Sequence, residues 1–373
     1  MLNLRACFHA VAVGSLATLF LGGCAPPADP VASHAAGGGQ YAVSMVQSPK
    51  AQASELTIFD VTELVASAVS QAGGLDFIHD GQTVVLKPNL VTFYQDAGEN
   101  TATTTVNGVS TDWRVVKTVA DLVRAKNPSG KILVIEGSRV LTLAVYPVLG
   151  YTFENFGTSV DEFVGIEGTS CSDPSTTNLE QRTAPSGKQY WVNKRYVAAD
   201  VLIAIPTLAT DAAAGVGGAA VSLGIGATPA GQYGSGTNSV DCTRTKIDQS
   251  SPEIVGDFIR DFYGFRPTDF VVMDGLQGLQ HGPLPAWDDS GTYDYASSIM
   301  NMRLVLAGKN AVAVDSVAAS VMKCDPGKVP SLSKLEAAGL GTTQMARITL
   351  LGKQVNEVSK PFASKQTASC PGF

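Results

Sequence analysis

Polar side chains stand at the points where three apolar runs of the sequence stop. Five residues occupy these positions: Lys87, Asn89, Glu136, Ser138 and Asp274. In an open parallel sheet the carboxyl ends of the strands share one edge, where loops and helix N-termini converge on ligands. We therefore predict that these five side chains bind a ligand in a crevice at that edge. Taken singly, each position is more simply interpreted as the polar end of a strand.

Asp315 lies among small apolar residues, in the run Ala-Val-Ala-Val-Asp-Ser-Val-Ala-Ala. On a helix its neighbours at i−4, i+3 and i+4 are alanines, so its carboxylate is predicted to face inward. A buried carboxylate without a partner is costly, so it should be paired, metal-bound or protonated. Asp315 is therefore a further ligand-binding candidate, with Lys87 as a potential partner. Capping of a neighbouring loop's backbone amides is the alternative, and both interpretations stay open.

His281 lies in a glycine-rich loop after the strand that carries Asp274. Such loops often contact ligands, and an imidazole can serve as an acid, a base or a metal ligand. We expect His281 on the rim of the crevice, and an ordinary loop residue is the alternative. Its companions beyond the signal segment are His34 and His79, so no multi-histidine metal site is predicted.

Two functions fit these residues. The first is a binding protein whose crevice holds a small molecule or a metal through four side chains: Lys87, Asn89, Asp274 and Asp315. The second is an enzyme that uses Lys87 or His281 with the two aspartates for proton transfer, because such groups shift each other's pKa values. A scaffolding role is neither favoured nor opposed. No cofactor is assigned, because the glycine-rich stretch 215–236 contains neither a dinucleotide nor a Walker pattern, and no G-x-S-x-G elbow occurs.

The elements that must position these residues alternate between strand and helix patterns. Residues 82–86 and 131–135 are short apolar runs, and 113–124 between them has apolar residues at helical spacing, which predicts a βαβ unit. Further patterns predict strands at 201–205, 270–273, 303–307 and 348–351, and helices at 311–322 and 332–338. We predict an α/β fold with a largely parallel central sheet flanked by helices. The polar, turn-rich segment 152–196 is predicted to form a small antiparallel insertion.

The N-terminus predicts an exported protein. Arg5 precedes an uncharged run from Ala10 to Leu21, which fits the hydrophobic region of a signal peptide covering residues 1–23. The following Leu-Gly-Gly-Cys resembles a lipobox, which implies cleavage before Cys24 and lipidation of that cysteine. The expected protein is a lipoprotein anchored to a membrane on its periplasmic or extracellular side. An ordinary secretory signal cut near Ala25 is the alternative.

Composition sets the remaining boundaries. Residues 24–52 are rich in Ala, Gly, Pro and Ser, which predicts a flexible tether before a domain at 53–353 and a C-terminal tail at 354–373. The formal net charge is −7 without clusters of Lys or Arg, which argues against a nucleic-acid partner. The uncharged stretch 212–230 is mostly Ala and Gly, so a buried loop or helix is predicted there and not a membrane span.

Cysteine usage agrees with an oxidising compartment. Four cysteines remain after the signal peptide and the lipidation site are set aside: Cys171, Cys242, Cys324 and Cys370. None has C-x-x-C spacing, so a structural zinc or iron–sulfur site is not predicted. We predict disulfides, and we prefer Cys171–Cys242 with Cys324–Cys370 because this pairing closes the shorter loops. Free buried cysteines are the alternative.

The order of these motifs resembles the family catalogued as domain of unknown function 362, from about residue 83 to 352. The resemblance is carried by Val-Val-Leu-Lys-Pro-Asn-Leu at 84–90, Glu-Gly-Ser at 136–138, Gly-Tyr at 150–151, Ala-Asp-Val at 199–201, Asp-Gly at 274–275, Gly-Pro at 282–283, Asn-Ala-Val-Ala-Val-Asp at 310–315 and Gly-Leu-Gly at 339–341. The resemblance implies no assigned activity. Some relatives carry added ferredoxin-like clusters, which this chain lacks.

One departure from the family pattern bears on the ligand. Similar proteins show a Lys-Leu-Lys-Thr-His run and a later Lys-Asn pair, whereas this chain has Thr-Leu-Ala-Thr-Asp at 207–211 and Val-Ser at 221–222. If the missing basic residues engage an anionic substrate in relatives, this protein has either lost that activity or binds something less charged.

Overall fold

The computed structural model describes residues 41–92, 108–287 and 293–363. Cys24, the predicted signal peptide and Cys370 lie outside these residues. The strands are β1 (Tyr41–Gln47), β2 (Thr83–Pro88), β3 (Lys131–Glu136), β4 (Glu162–Gly165), β5 (Leu179–Thr183), β6 (Gln189–Asn193), β7 (Val201–Ile205), β8 (Thr207–Asp211), β9 (Gly215–Gly217), β10 (Phe270–Leu279), β11 (Ala286–Trp287), β12 (Tyr293–Asp294), β13 (Ile299–Gly308) and β14 (Ile348–Gly352).

Helices connect most of these strands. They are α1 (Ile58–Gln71), α2 (Trp113–Lys126), α3 (Thr142–Val148), α4 (Phe153–Phe156), α5 (Lys194–Val197), α6 (Ala219–Gly224), α7 (Ala230–Tyr233), α8 (Pro252–Tyr263), α9 (Tyr295–Ser298), α10 (Ala311–Val321), α11 (Pro330–Ala337) and α12 (Val355–Val358). Short 3-10 turns occupy Ala53–Glu55, Pro326–Lys328 and Met345–Arg347.

Local chemistry fixes where the longer helices begin. The Asp112 carboxylate accepts a hydrogen bond from the Arg114 amide at the start of α2, and the Asn310 side chain accepts one from the Ala313 amide at the start of α10. Before α8, the Ser251 hydroxyl accepts from the third helical amide and a proline follows at the first helical position. These side chains satisfy amides that have no partner inside the helix.

The central sheet confirms the predicted α/β fold. Its strand order is β14-β1-β13-β10-β7-β2-β3-β4, with β8 paired to β10 and to β9. The pairs β2–β3, β2–β7, β3–β4, β7–β10 and β1–β14 are parallel. Strand β13 is the exception on this path, because it runs antiparallel to both β1 and β10. The sheet is therefore mostly parallel.

Both faces of this sheet are covered, because successive strand residues point to opposite sides. In β2, Val84 and Leu86 pack with α1 and α2 on one face. Val85 packs on the other face, in the core that α6, α8, α10 and α11 cover. The strands of the predicted insertion at 152–196 belong to two different sheets. Strand β4 extends the main sheet, and β5 pairs with β6 in a separate antiparallel hairpin.

Three predicted boundaries are wrong. The tether does not reach residue 52, because Tyr41–Gln47 is a strand held between β13 and β14. The tail does not begin at 354, because Phe362 is fully buried and its amide donates to the Met322 carbonyl. The strand predicted to stop at 273 runs on to Leu279, so Asp274 lies inside β10, paired with Val305.

The uncharged stretch 212–230 contains β9 and α6 and is largely buried, as predicted. Within the described ranges, no helix has the length and apolar character needed to cross a membrane.

Candidate functional site

A crevice lies beyond the carboxyl ends of β2, β3 and β7. Its cavity volume is about 240 Å³. The polar wall residues are Asn89, Glu136, Arg139, Thr207, Thr210, Asp211, Ser222, Thr243, Arg244 and Gln249, and the apolar ones are Val91, Val109, Pro206, Ala209, Val221, Ile225, Leu279 and Pro283. The cavity is thus at the sheet edge where sequence reasoning expected it, and it offers both charged and aliphatic surface.

Lys87 lies beneath this crevice and has no exposed surface. Its Nζ donates to Glu136 Oε2 at 2.6 Å, to the Pro88 carbonyl at 2.9 Å and to Ser222 Oγ at 3.3 Å. Burial lowers the pKa of Lys87, and the Glu136 carboxylate opposes this shift. Three acceptors occupy all three ammonium donors, so Lys87 joins β2, β3 and α6 and has no donor left for a ligand. The suggested pairing of Lys87 with Asp315 is wrong.

Asp315 binds backbone amides. Its Oδ1 accepts from the Ala219 amide and its Oδ2 from the Ala220 amide, both at 2.8 Å, at the start of α6. A Cβ at Gly218 would lie 2.4 Å from Asp315 Oδ1, so only glycine permits this approach. Burial raises the pKa of Asp315 to about 7, and the two amides oppose the shift. The capping alternative is therefore confirmed, and the carboxylate does not line the crevice.

Both carboxylate oxygens of Asp274 also accept hydrogen bonds from backbone amides. Its Oδ2 accepts from the Asp112 amide at 2.8 Å and its Oδ1 from the Leu276 amide at 3.0 Å. Burial and the nearby Asp112 charge raise the pKa of Asp274 to about 7. Asp112 is itself paired with Arg114 at 2.7 Å. Asp274 thus anchors the start of α2 to β10 and does not line the crevice, so the predicted convergence of Lys87, Asn89, Asp274 and Asp315 is wrong.

The remaining predicted residues are distributed around the cavity. Asn89 lines it, with its Nδ2 donating to Thr207 Oγ1 at 3.2 Å, and Glu136 lines it from β3. His281 is not in the wall, although Leu279 and Pro283 on either side of it are. Its backbone has a φ of 63° and its amide donates to the Ala363 carbonyl. Ser138 is buried next to the wall, and its Oγ has no hydrogen-bond partner among the described residues.

Arg244 is a wall residue that sequence reasoning missed. Its guanidinium donates to the carbonyls of Gly137, Ser138, Thr228 and Cys242. Burial lowers its pKa, and Glu167 and Glu136 oppose the shift. The predicted disulfide Cys171–Cys242 is present, with its Cα atoms 4.7 Å apart, and it holds the segment that carries Arg244. The second predicted pairing involves Cys370 and stays a prediction.

Arg139 and Asp211 were also missed. Within the described part of the chain, no hydrogen bond or ion pair involves the half-buried Arg139 guanidinium. Asp211 Oδ1 accepts from the amides of Ala213 and Ala214, at 2.8 and 2.7 Å, and Oδ2 has no such partner in the described ranges. Burial raises the pKa of Asp211, and the amides of Ala214 and Ala213 and, to a smaller extent, the Arg139 charge oppose the shift. The sequence did contain a feature that could have indicated each residue. Arg139 directly follows a predicted strand end, and Asp211 is the last residue of the run that departs from the family pattern.

The ligand types that this wall can hold follow from its donors and acceptors. In the described ranges, no group of three or more His, Cys, Asp and Glu side chains is placed to hold a metal ion. As far as the described residues show, the wall instead combines one unpaired cation, one carboxylate oxygen without a partner, an amide side chain, hydroxyls and aliphatic surface, which suits an organic molecule.

Comparisons with known proteins support the family resemblance. Residues 84–320, more than half of the 373-residue chain, match the family model described as Domain of unknown function (DUF362). No curated protein matches the chain. Among solved structures, the lactate racemase apoprotein from Thermoanaerobacterium thermosaccharolyticum is 18% identical with a TM-score of 0.37, and the match covers 73% of this chain and 54% of that one. The chain thus spans about half the length of that protein.

Proposed function

Since the chain belongs to the family described as Domain of unknown function (DUF362), whose description names no activity, we propose its function from the crevice: it binds a small organic molecule there. One observation carries the proposal. The Arg139 guanidinium and the Asp211 carboxylate face one cavity, and within the described ranges neither is paired with the other. Arg139 has no side-chain partner in these ranges and Asp211 is paired through one oxygen only, and incompletely paired charges that are partly buried are costly. A ligand that pairs with both charged groups removes this cost, and the free energy gained contributes to its affinity.

A small molecule fits this wall better than a metal ion. Glu136 already binds the Lys87 ammonium, and Asp211 offers one oxygen to which no described residue donates. No histidine belongs to the wall among the described residues. A metal would need several such ligands converging on one point.

The binding function is also preferred to proton transfer by the two predicted aspartates. Asp274 and Asp315 each use both oxygens to accept backbone amides, and neither lines the cavity. A general acid or base must reach the proton that it transfers. These two residues therefore have a supporting role under the proposed function.

Native mass spectrometry of the purified protein tests the proposal. We expect an adduct of small mass on the wild-type protein, and its loss in Val221→Phe, which fills the cavity from α6. Val240→Phe is the matched control, because Val240 is 55% exposed and outside the wall. A wild-type protein that carries no adduct after exposure to a metabolite extract would contradict the proposal. Melting temperatures of both variants check that they fold.

We further propose that the protein is exported and anchored by a lipid on Cys24. The uncharged run 10–21 and the Leu-Gly-Gly-Cys sequence support this, and a disulfide between Cys171 and Cys242 is typical of oxidising compartments. In Cys24→Ala we expect an unprocessed precursor or release from the membrane fraction. Cys7→Ala, inside the predicted signal peptide, is the control and should fractionate as the wild type does. Normal processing and fractionation of Cys24→Ala would contradict the anchor.

A further inference from the structure

The charges around the crevice are balanced, and this balance constrains the ligand. Lys87 and Glu136 neutralise each other at 2.6 Å, and Arg244 is surrounded by carbonyl oxygens and within electrostatic range of Glu167 and Glu136. Among the described wall residues, this leaves positive Arg139 and negative Asp211 to meet a ligand. Arg139 also acts electrostatically on the Asp241 carboxylate, which lies outside the wall.

The Arg139 and Asp211 side chains interact electrostatically. Arg139 acts electrostatically on the Asp211 carboxyl, yet no hydrogen bond or ion pair joins their side chains within the described ranges. Each keeps hydrogen-bonding capacity, since a guanidinium has five N–H donors and no residue of the described ranges donates to Asp211 Oδ2. The cavity wall thus displays two opposite charges with a gap between them.

Resting on the proposed function, we propose that the crevice selects a small zwitterion of the α-amino acid class, whose carboxylate is bound by Arg139 and whose ammonium is bound by Asp211. A guanidinium matches a carboxylate through two parallel hydrogen bonds. The Asn89 side-chain oxygen supplies a further acceptor for the ammonium. The aliphatic part of the wall, which includes Val91, Ile225 and Leu279, receives an apolar side chain.

Singly charged ligands fit this arrangement less well. A monoanion that satisfies Arg139 leaves the Asp211 carboxylate unpaired and repels it, and a monocation does the same to Arg139. Opposite charges interact strongly in a partly buried site because water screens them little. A molecule with no net charge and two separated charges is favoured at both ends.

The experiment compares ligands that differ in one charged group. A thermal-shift screen of the standard L-amino acids against the purified full-length protein identifies the binders, since a ligand that prefers the folded state raises the melting temperature. We expect apolar amino acids such as L-leucine to bind. Calorimetric titration then compares L-leucine with 4-methylpentanoic acid, which lacks the ammonium, and with 3-methylbutylamine, which lacks the carboxylate. We expect each loss to weaken binding by about tenfold or more.

Two variants assign the ends of the ligand. Arg139→Gln should abolish the advantage of L-leucine over 3-methylbutylamine, and Asp211→Asn should abolish its advantage over 4-methylpentanoic acid. Arg195→Gln is the control, because Arg195 forms an exposed ion pair with Glu162 outside the cavity wall. If Asp211→Asn fails to fold, the Arg139→Gln result alone decides, since a retained preference for the carboxylate overturns the proposal.

Failure of this inference differs from failure of the proposed function. If no amino acid binds, or if the three probes bind equally, the zwitterion proposal is overturned. The binding function still stands in that case if native mass spectrometry shows an adduct that Val221→Phe removes. If there is neither amino acid binding nor any adduct, both proposals are overturned.

Discussion

Lys87 Nζ lies 2.6 Å from Glu136 Oε2, and the exposed fractions of the two side chains are 0% and 2%. The pair joins neighbouring parallel strands directly under the cavity floor. Desolvation of two charges is expensive, so such a pair contributes little net stability but becomes very costly when only one partner is removed.

We expect Lys87→Met to lower the free energy of unfolding by about 3–5 kcal/mol, because it leaves the Glu136 charge buried without its cation. The double variant Lys87→Met/Glu136→Leu should lose much less. Urea denaturation of the two single variants and the double variant measures the coupling. Arg195→Met breaks an exposed pair of the same length and should change the free energy by less than about 1 kcal/mol. Losses in the double variant equal to the sum of the singles would contradict this account.

Asp315 predicts a specific dependence of stability on pH. Burial raises its pKa from 3.8 in the unfolded chain to about 7 in the folded protein. Its contribution to stability is then fully present below the unfolded pKa and is lost as the pH rises through the folded pKa. The stability difference between wild type and Asp315→Asn should therefore decrease between about pH 4 and pH 7, by at most about 1.4 kcal/mol per pH unit.

Chemical denaturation of both proteins across this pH range checks the Asp315 prediction. Asp76→Asn is a control of opposite sign, because the Lys126 side chain lowers the pKa of exposed Asp76. Its contribution is lost as the pH falls. A wild-type advantage over Asp315→Asn that grows with rising pH would show that the sign assigned to Asp315 is wrong.

Asp274→Asn should cost stability, because an asparagine has one acceptor oxygen for two amides and places an NH₂ group against the other. We expect a loss of about 1–3 kcal/mol at about pH 8, where Asp274 is ionised and both of its oxygens accept, measured by urea denaturation. Asp257→Asn, in a surface cluster of ion pairs with Arg260 and Lys334, is the control and should change less. Equal losses in the two variants would indicate that the bonds to Asp112 and Leu276 contribute nothing particular.

Removal of the Cys171–Cys242 disulfide should lower the free energy of unfolding by about 2–4 kcal/mol, since the bridge restricts an unfolded chain across a separation of 71 residues. Thermal and urea unfolding of Cys171→Ser/Cys242→Ser measures the loss. Ser172→Ala, next to the bridge, is the control. A double variant as stable as the wild type would contradict the stabilising role.

Much of the fold could be predicted from the sequence, because the apolar runs of β2, β3 and β7 are buried on both faces and stop abruptly. Strand β1 was missed because it follows a stretch rich in Ala and Gly and carries only a short alternation at Val43 and Met45. The length of β10 was missed because its second half contains two glycines and a glutamine, where a bulge shifts the register.

The position of the site could be predicted from the sequence, but the contacts of its side chains could not. The predicted strand ends indicated where the crevice lies, and the helical spacing of the residues around Asp315 indicated that its side chain faces inward. Whether a buried carboxylate meets a lysine or two amides depends on the path of a distant segment, here 218–220, which no local pattern encodes. Arg244 comes from a polar loop whose position depends on the disulfide beside it.

Strand β1 is held between β13 and β14, with Val43 opposite Gly308 on one side and Leu350 on the other. A chain that is synthesised or translocated from its N-terminus therefore exposes this strand long before either partner has emerged. The contacts between β1 and β14 join residues as far apart in sequence as Tyr41 and Ile348, so closing this part of the sheet carries a large loop-closure entropy. Until β14 has formed, β1 keeps an unpaired edge that can pair with another chain. Protection of this edge until the chain has been completed is thus a requirement that the topology imposes on the cell.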